Sequence, residues 1–469
     1  MTTTAANPSA RYDRMTRSID DRADCTGYAR RVSDAASPWS ARFGVGIVGV
    51  AVAAAGFAIA FRAVLGAAVH AASGVSNVVT AMEQAAWWWR LAIPVIGAAA
   101  AGVFAVLAKR YGGGGVGDVM EAVAIGRTRL SLRATTLRSI ASWCAIATGG
   151  SLGREGPLIQ FGGAAGSAIG ERLALDDARR RVLIAAGTAA GFAAAYNTPL
   201  AAVAFVLEIV TGIVVVETVV PTLVATVIAT ALTRAVVGAG PIYGVRQFVM
   251  RAPGELAAFA GVGIVAAVAA VAFMTLVDLG ERGFHRVLAP PYRQALGGLG
   301  AGIVIVVLPQ VAGNGYEPLN QVLDGALALR VVAVLVIAKC FATASSVASG
   351  SPGGVFTPVM LVGGCVGYLS GAALAAAGAD VGPPGGYALV GMAAAIAAAT
   401  HAPMMAAILA FELSGDYAVV LPLVLATALA TALARTLRRD SVYTAELRGR
   451  PRWRATVAAE EPSRPTSST

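Results

Sequence analysis

A chain of 469 residues that is 57% hydrophobic and only 13% charged, with a mean hydropathy of +0.70, is far from a soluble domain, where about a quarter of the residues are charged. The net charge of +10 is carried almost wholly by arginine, Lys109 and Lys339 being the two lysines. These arginines gather between apolar runs and at both ends, as in the cytoplasmic loops and tails of a membrane protein, which excludes nucleic acid as a partner. Four scattered cysteines (Cys25, Cys144, Cys340, Cys365) and three isolated histidines (His70, His285, His401) offer neither a disulfide framework nor a metal site. They argue against a metal-dependent membrane enzyme, and no cofactor is expected.

In chain order, residues 1–42 are polar and of mixed charge and read as a cytoplasmic tail, with no cleavable signal peptide ahead of the first apolar run. Residues 43–70 predict the first membrane helix. Trp87, Trp88 and Trp89 beside Arg90 mark an interfacial belt opening a second helix that runs to Lys109 and Arg110. The glycine-rich break at 112–118 leads into a short helix; it lacks the Gly-Lys-Ser/Thr of a phosphate loop. The apolar run from Leu137 to Thr148 is too short to span a bilayer and reads as half of a broken helix.

That half-helix ends at Gly149-Gly150-Ser151-Leu152-Gly153-Arg154-Glu155-Gly156-Pro157. Glycines bare the backbone there, and Pro157 suits the first turn of a helix. A helix start presents unpaired N–H groups and a positive dipole end, which bind an anion. Glu155 sets a carboxylate at that place, and a carboxylate at membrane depth marks a functional site. The expectation is that Glu155 competes with a permeating anion and leaves when protonated. The alternative is an exposed glutamate capping a helix in a polar loop.

Beyond it, residues 171–181 are expected to form a charged cytoplasmic loop. Apolar runs follow at 182–196 and 199–215, split at Asn197-Thr198-Pro199, and then at 217–238, 255–278, 295–312, 328–347, 355–377, 386–400, 403–413 and 418–437. Several fall short of the roughly 20 residues that a span needs. Residues 451–469 end in a Pro/Ser/Thr-rich segment that predicts disorder.

Two stretches repeat. Residues 187–209 (GTAAGFAAAYNTPLAAVAFVLEI) and 391–413 (GMAAAIAAATHAPMMAAILAFEL) share Gly187/Gly391, Pro199/Pro403 and Glu208/Glu412 without a gap, and Gly150-Ser151-Leu152-Gly153 corresponds to Gly350-Ser351-Pro352-Gly353. Two related halves, about 43–240 and 253–450, are therefore expected. Paired broken helices in corresponding places point to an ion site at the repeat interface near the bilayer middle. The second loop, Gly353 to Pro358, carries no charge and can offer only backbone N–H groups. Two positive helix ends favour an anion over a cation. The recurrence of Glu208 as Glu412 points to a structural role for both.

Gly153-Arg154-Glu155-Gly156-Pro157, Gly354-Val355-Phe356-Thr357-Pro358 and the stretch Phe411-Glu412-Leu413-Ser414-Gly415-Asp416-Tyr417 resemble the CLC family of chloride channels and proton-coupled chloride exchangers, over about residues 43–450. The resemblance implies an all-α polytopic membrane protein made of two inverted repeats of tilted, broken helices. It also implies a homodimer with one anion pathway per subunit, lying in the lipid bilayer of the inner membrane with both termini cytoplasmic. Glu155 matches the family's external gating and proton-carrying glutamate. Arg154, Gly156, Gly354, Val355 and Phe356 fall on its anion-binding loops, and Tyr443 matches its inner tyrosine, whose hydroxyl donates to the anion. Chloride is then the bound substrate, and protons are the second ion. Lys339 falls where the family often has a basic residue; it either adds positive potential to the inner pathway or snorkels to the interface.

Two departures bear on function. Gly114 stands where the family has an anion-binding serine, and Gly117 where it has a proline, so anion preference is open. Ile209 stands where many exchangers have a second, cytoplasmic-side glutamate, which pulls toward a channel. Small chains of this kind are often exchangers, and proton-coupled chloride exchange is the expectation, with a channel lacking proton coupling as the alternative. The readings from other classes are a lipid-modifying membrane enzyme, which would need clustered Asp, His or Arg at one interface, and a sodium-coupled organic solute carrier. The carrier would draw cation ligands from Ser151, Ser345, Ser349 and Ser351.

Overall fold

The structure, a computed structural model, describes residues 40–448 apart from 113–114, 127, 212–215, 239, 241–242, 245, 247 and 249. The tails expected at 1–42 and 451–469 thus lie outside the described residues, save 40–42. The chain divides between Val45 and Gly46. The described part of the first unit is the opening of the first helix, and all the remaining elements belong to the second unit.

Helices α1 (Ala41–Ser73), α2 (Val78–Gln84), α3 (Trp87–Arg110), α4 (Val116–Ile125) and α5 (Leu132–Ala147) lead to the central glycine loop. Beyond that loop come α6 (Glu155–Arg172), α7 (Asp177–Tyr196), α8 (Pro199–Phe205), which continues as a π turn over Val206–Thr211, and α9 (Val216–Val237). The second half holds α10 (Glu255–Val287), α11 (Tyr292–Val307), α12 (Tyr316–Leu323), α13 (Leu329–Ala348), α14 (Phe356–Ala376), α15 (Pro384–Thr400), α16 (Pro403–Ser414), α17 (Val420–Leu437) and α18 (Val442–Arg448). No strand occurs among the described residues, and seven stretches there are long and apolar enough to cross a membrane. The 33 residues of α10 measure about 50 Å, more than the roughly 30 Å of a hydrocarbon core, so this helix accommodates to a bilayer by tilting. Trp87, Trp88 and Trp89 stand exposed at the start of α3.

The order α5 to α9 recurs as α13 to α17: a helix, a glycine loop, two helices that pack closely, a half-helix and a longer helix. The equivalences extend to backbone detail. α7 ends at Asn197 (φ +60°) and α15 at His401 (φ +59°), both left-handed, and a proline two residues later starts the following half-helix. Within each half the packed pair relies on a missing side chain. A Cβ on Gly187 would strike the Gly162 carbonyl, and one on Gly391 would strike the Gly363 carbonyl, so α7 lies on α6 and α15 on α14 backbone to backbone.

Glu208 and Glu412 are structural, and reciprocally so. The Glu208 carboxylate accepts the N–H groups of Met404 (3.2 Å) and Met405 (2.7 Å) at the start of α16. The Glu412 carboxylate accepts those of Leu200 (3.0 Å) and Ala201 (2.8 Å) at the start of α8. Each repeat thus supplies the anion that satisfies the open N-terminus of the other repeat's half-helix.

Other expectations are corrected. Residues 171–181 are not a loop. α6 runs to Arg172 and α7 begins at Asp177, joined by residues 173–176; Asp176 accepts the Arg179 N–H at 2.8 Å, and acidic charge in a first turn favours a helix. The half-helix expected from Leu137 starts earlier, at Leu132, behind the Ser131 cap. The run at 295–312 stops at Val307 and turns through Pro309–Val311. The short helices α2 and α12 are additional, since 7 and 8 residues are too few for an apolar period to register. Lys339 does not snorkel: it is fully buried, its ammonium donating to the carbonyls of Val311 and Gly313, both at 2.9 Å.

Candidate functional site

The two glycine loops meet. Gly153 donates to the Gly354 carbonyl at 2.7 Å, and Gly354 to that of Gly153 at 2.9 Å, an isolated antiparallel bridge joining corresponding points of the repeats. α6 starts immediately after one side of this bridge and α14 after the other, so two helix N-termini open beside a single junction. Glu155, the first residue of α6, lies across it and is 2% exposed. Its Oε1 accepts the Phe356 N–H at 3.1 Å, the first amide of α14. Its Oε2 lies 3.2 Å from the Thr357 hydroxyl and 3.3 Å from that of Tyr196, and those hydroxyls are 2.9 Å apart. Two hydroxyl protons serve three contacts, so at any instant two of the three are hydrogen bonds. A Cβ on Gly354 would run into the Glu155 carboxylate, and that close approach explains the glycine.

A cavity of about 350 Å³ opens on this junction. Of the residues that the sequence singles out, Glu155, Gly156, Gly354, Val355, Phe356 and Tyr443 line it. Gly114 lies outside the described residues; its neighbour Gly115 borders the cavity. Arg154 occupies the N-cap position of α6, half-buried, and is not part of the cavity wall. Tyr443 is 8% exposed and meets Phe205 edge to face at 5.6 Å. Its hydroxyl bonds to none of the described residues, although the ring borders the cavity, so a donor is left for a ligand. Phe192, Tyr196 and Phe205 pack with Phe356 and Tyr443 into an aromatic wall that fixes the first turn of α14.

Sequence reasoning missed Tyr196 and Thr357, the hydroxyl partners of Glu155. Tyr196 stands just before the Asn197-Thr198-Pro199 break, where it corresponds to Thr400 in the repeat: a hydroxyl in both halves was the available signal. It also missed the charged far end of the cavity, where Arg138, Asp278, Glu281, Arg438 and Glu446 come together from α5, α10, the segment after α17 and α18. The serine hydroxyls considered as cation ligands are largely engaged by protein: Ser151 lies 2.7 Å from the Thr343 hydroxyl, and Ser349 donates to the Ser346 carbonyl at 2.7 Å. No group of three metal-ligating side chains occurs among the described residues.

Electrostatics decide what this junction can do. An ionised Glu155 and an anion 4 Å apart repel by about 4 kcal/mol at an effective dielectric constant of 20, roughly a thousandfold in occupancy. The amide of Phe356 therefore serves the carboxylate or an anion, not both. Protonation of Glu155 removes that repulsion and weakens its hold on the amide.

A buried carboxylate at the meeting of two helix starts, on paired broken helices, defines a membrane transport protein of the ion-conducting kind. A family model described as voltage gated chloride channel matches residues 96–435, and the chain belongs to that family, the CLC family of channels and transporters, as a multi-pass membrane protein. It is 37% identical over 370 residues to a putative ClcB-like chloride channel protein of Ralstonia nicotianae, covering 76% of this chain and 85% of the relative. It is 32% identical over 338 residues to the voltage-gated ClC-type chloride channel ClcB of Escherichia coli, covering 70% of this chain and 79% of the relative. Its fold is that of a slow cyanobacterial Cl⁻/H⁺ antiporter, with a TM-score of 0.74 at 22% identity over 90% of this chain and 99% of the other. It is likewise that of a CLC-type fluoride/proton antiporter, with a TM-score of 0.70 at 21% identity over 86% and 96%.

Proposed function

We propose that this protein moves chloride or a similar small anion across the inner membrane in exchange for protons, with Glu155 as the gate. The observation that carries the reading is the Glu155 carboxylate seated on the Phe356 amide at 3.1 Å, where two helix starts meet. In this reading Glu155 holds the anion's place while ionised. Protonated, it leaves, and the anion takes the amides of Val355 and Phe356, with Gly354, Gly156 and the Tyr443 hydroxyl on the same cavity wall. Arg154, beside the gate but off that wall, adds positive potential near it. Relatives described as chloride channel proteins support the anion, and structural neighbours described as chloride/proton and fluoride/proton antiporters support the proton. The protein works as a homodimer in the lipid bilayer, with both termini and the Tyr443 end of the cavity on the cytoplasmic side. A second reading, a channel without proton coupling, is favoured by Ile209, which is apolar and 8% exposed where many exchangers carry a glutamate.

Chloride efflux from vesicles containing the purified protein tests the gate. The wild-type flux is expected to rise as external pH falls, and Glu155→Gln to give a flux independent of pH with no accompanying proton movement. Full proton coupling in Glu155→Gln would overturn the assignment.

A further inference from the structure

The exchange reading leaves the cytoplasmic end of the proton route without a carrier. Ile209 borders a second cavity, of about 410 Å³, with Glu208, His401, Arg435 and Arg439, and this cavity shares no lining residue with the one at Glu155. Glu208 is no substitute, because both its oxygens are held by the amides of Met404 and Met405. The anion cavity does carry carboxylates. At its far end Asp278 is neutralised by Arg438, whose two terminal nitrogens lie 3.0 and 3.2 Å from its oxygens. Glu281 and Glu446 lie on the same wall, which Arg138 and Arg438 also line. Glu446 Oε1 and the Arg138 guanidinium both approach Gly115, the residue just ahead of α4. Glu281 also lines a more open cavity of about 590 Å³, with Arg282, Arg439 and Asp440, and so stands at the boundary between the two spaces.

Two carboxylates on the wall of an anion pathway oppose its cargo when ionised. They cease to do so when they hold a proton. We propose that Glu281 and Glu446 carry protons between the cytoplasmic solution and Glu155 through the anion cavity itself, in place of the carboxylate absent at position 209. Glu281 takes a proton from solution at the outer boundary and Glu446 receives it within the cavity. The O–H bond of Glu446 then breaks as water passes a proton to the Glu155 carboxylate, leaving Glu446 ionised and Glu155 neutral. The cavity has room for such water, and its polar wall offers the partners that water needs. This inference rests on the exchange reading.

The test uses the full chain in vesicles, with chloride efflux followed by electrode and proton uptake recorded in the same sample. For Glu281→Gln with Glu446→Gln, protons moved per chloride are expected to fall about tenfold, whichever way the neutralised wall shifts chloride flux; Glu281→Asp with Glu446→Asp keeps the wild-type ratio. An unchanged ratio in the Gln pair overturns the proposal and leaves exchange standing. Proportional loss of both fluxes in the Gln pair overturns it too, because the residues would then be structural. A wild-type protein that moves chloride and no protons overturns the proposal and the exchange reading together.

Discussion

The Tyr443 hydroxyl and the Phe356 amide face the same cavity from opposite situations. The amide is already bonded to Glu155, whereas the hydroxyl has no partner among the described residues. In the proposed reading the hydroxyl is the donor left for the anion, and its removal tests anion binding without touching the gate. Tyr443→Phe is expected to weaken chloride binding, measured by calorimetry, by about 1 kcal/mol or roughly fivefold, with the packing against Phe205 kept. Glu155 was legible in the sequence because burying a carboxylate among glycines within an apolar run is costly unless the charge has work to do there. Tyr443 was legible only through family resemblance, since an isolated tyrosine near a basic tail reads equally well as an interfacial anchor. Tyr196 and Thr357 escaped because they act by converging on one carboxylate from positions 161 residues apart, and no local pattern encodes that.

Between elements, the reciprocal caps of Glu208 and Glu412 decide how the half-helices meet. α8 and α16 contain 7 and 12 residues, so neither spans a bilayer, and each starts with amides that lipid cannot satisfy. The carboxylate from the other half satisfies two of them. Glu412→Ala should cost about 2–4 kcal/mol, because two amides lose an ionised partner at once, and Glu208→Ala should cost a similar amount. A thermal unfolding shift of the purified protein measures this, and an unchanged midpoint in both variants would contradict the capping role. The repeated Gly, Pro and Glu spacing revealed the elements involved, and the structural reading of Glu208 came from it. The partners did not, because a glutamate that recurs in each half could as readily bond within its own half. Charge misled at 171–181 for a related reason: a run of Asp and Arg reads as loop, yet Asp176 and Asp177 are what a helix start favours.

Across the whole molecule, the duplicated order of α5–α9 and α13–α17 puts two loops and two helix starts at one bridge, and the proposed gate is built on that convergence. The repeat was visible in the sequence through its few costly residues; the alanines around them carried little information. The charged end of the cavity was invisible, since Arg138, Asp278, Glu281, Arg438 and Glu446 are spread over some three hundred residues and come together only through the packing of four separate segments. In the exchange reading, coupling is likewise a property of the assembled pathway: one carboxylate alternates between an anion's place and a proton, so the fluxes are tied. The most direct measurement is the reversal potential of the reconstituted protein with equal chloride on both sides and a pH gradient across the membrane. Exchange predicts a reversal potential displaced from zero that tracks the pH gradient; a reversal that stays at zero, the chloride equilibrium value, would contradict it.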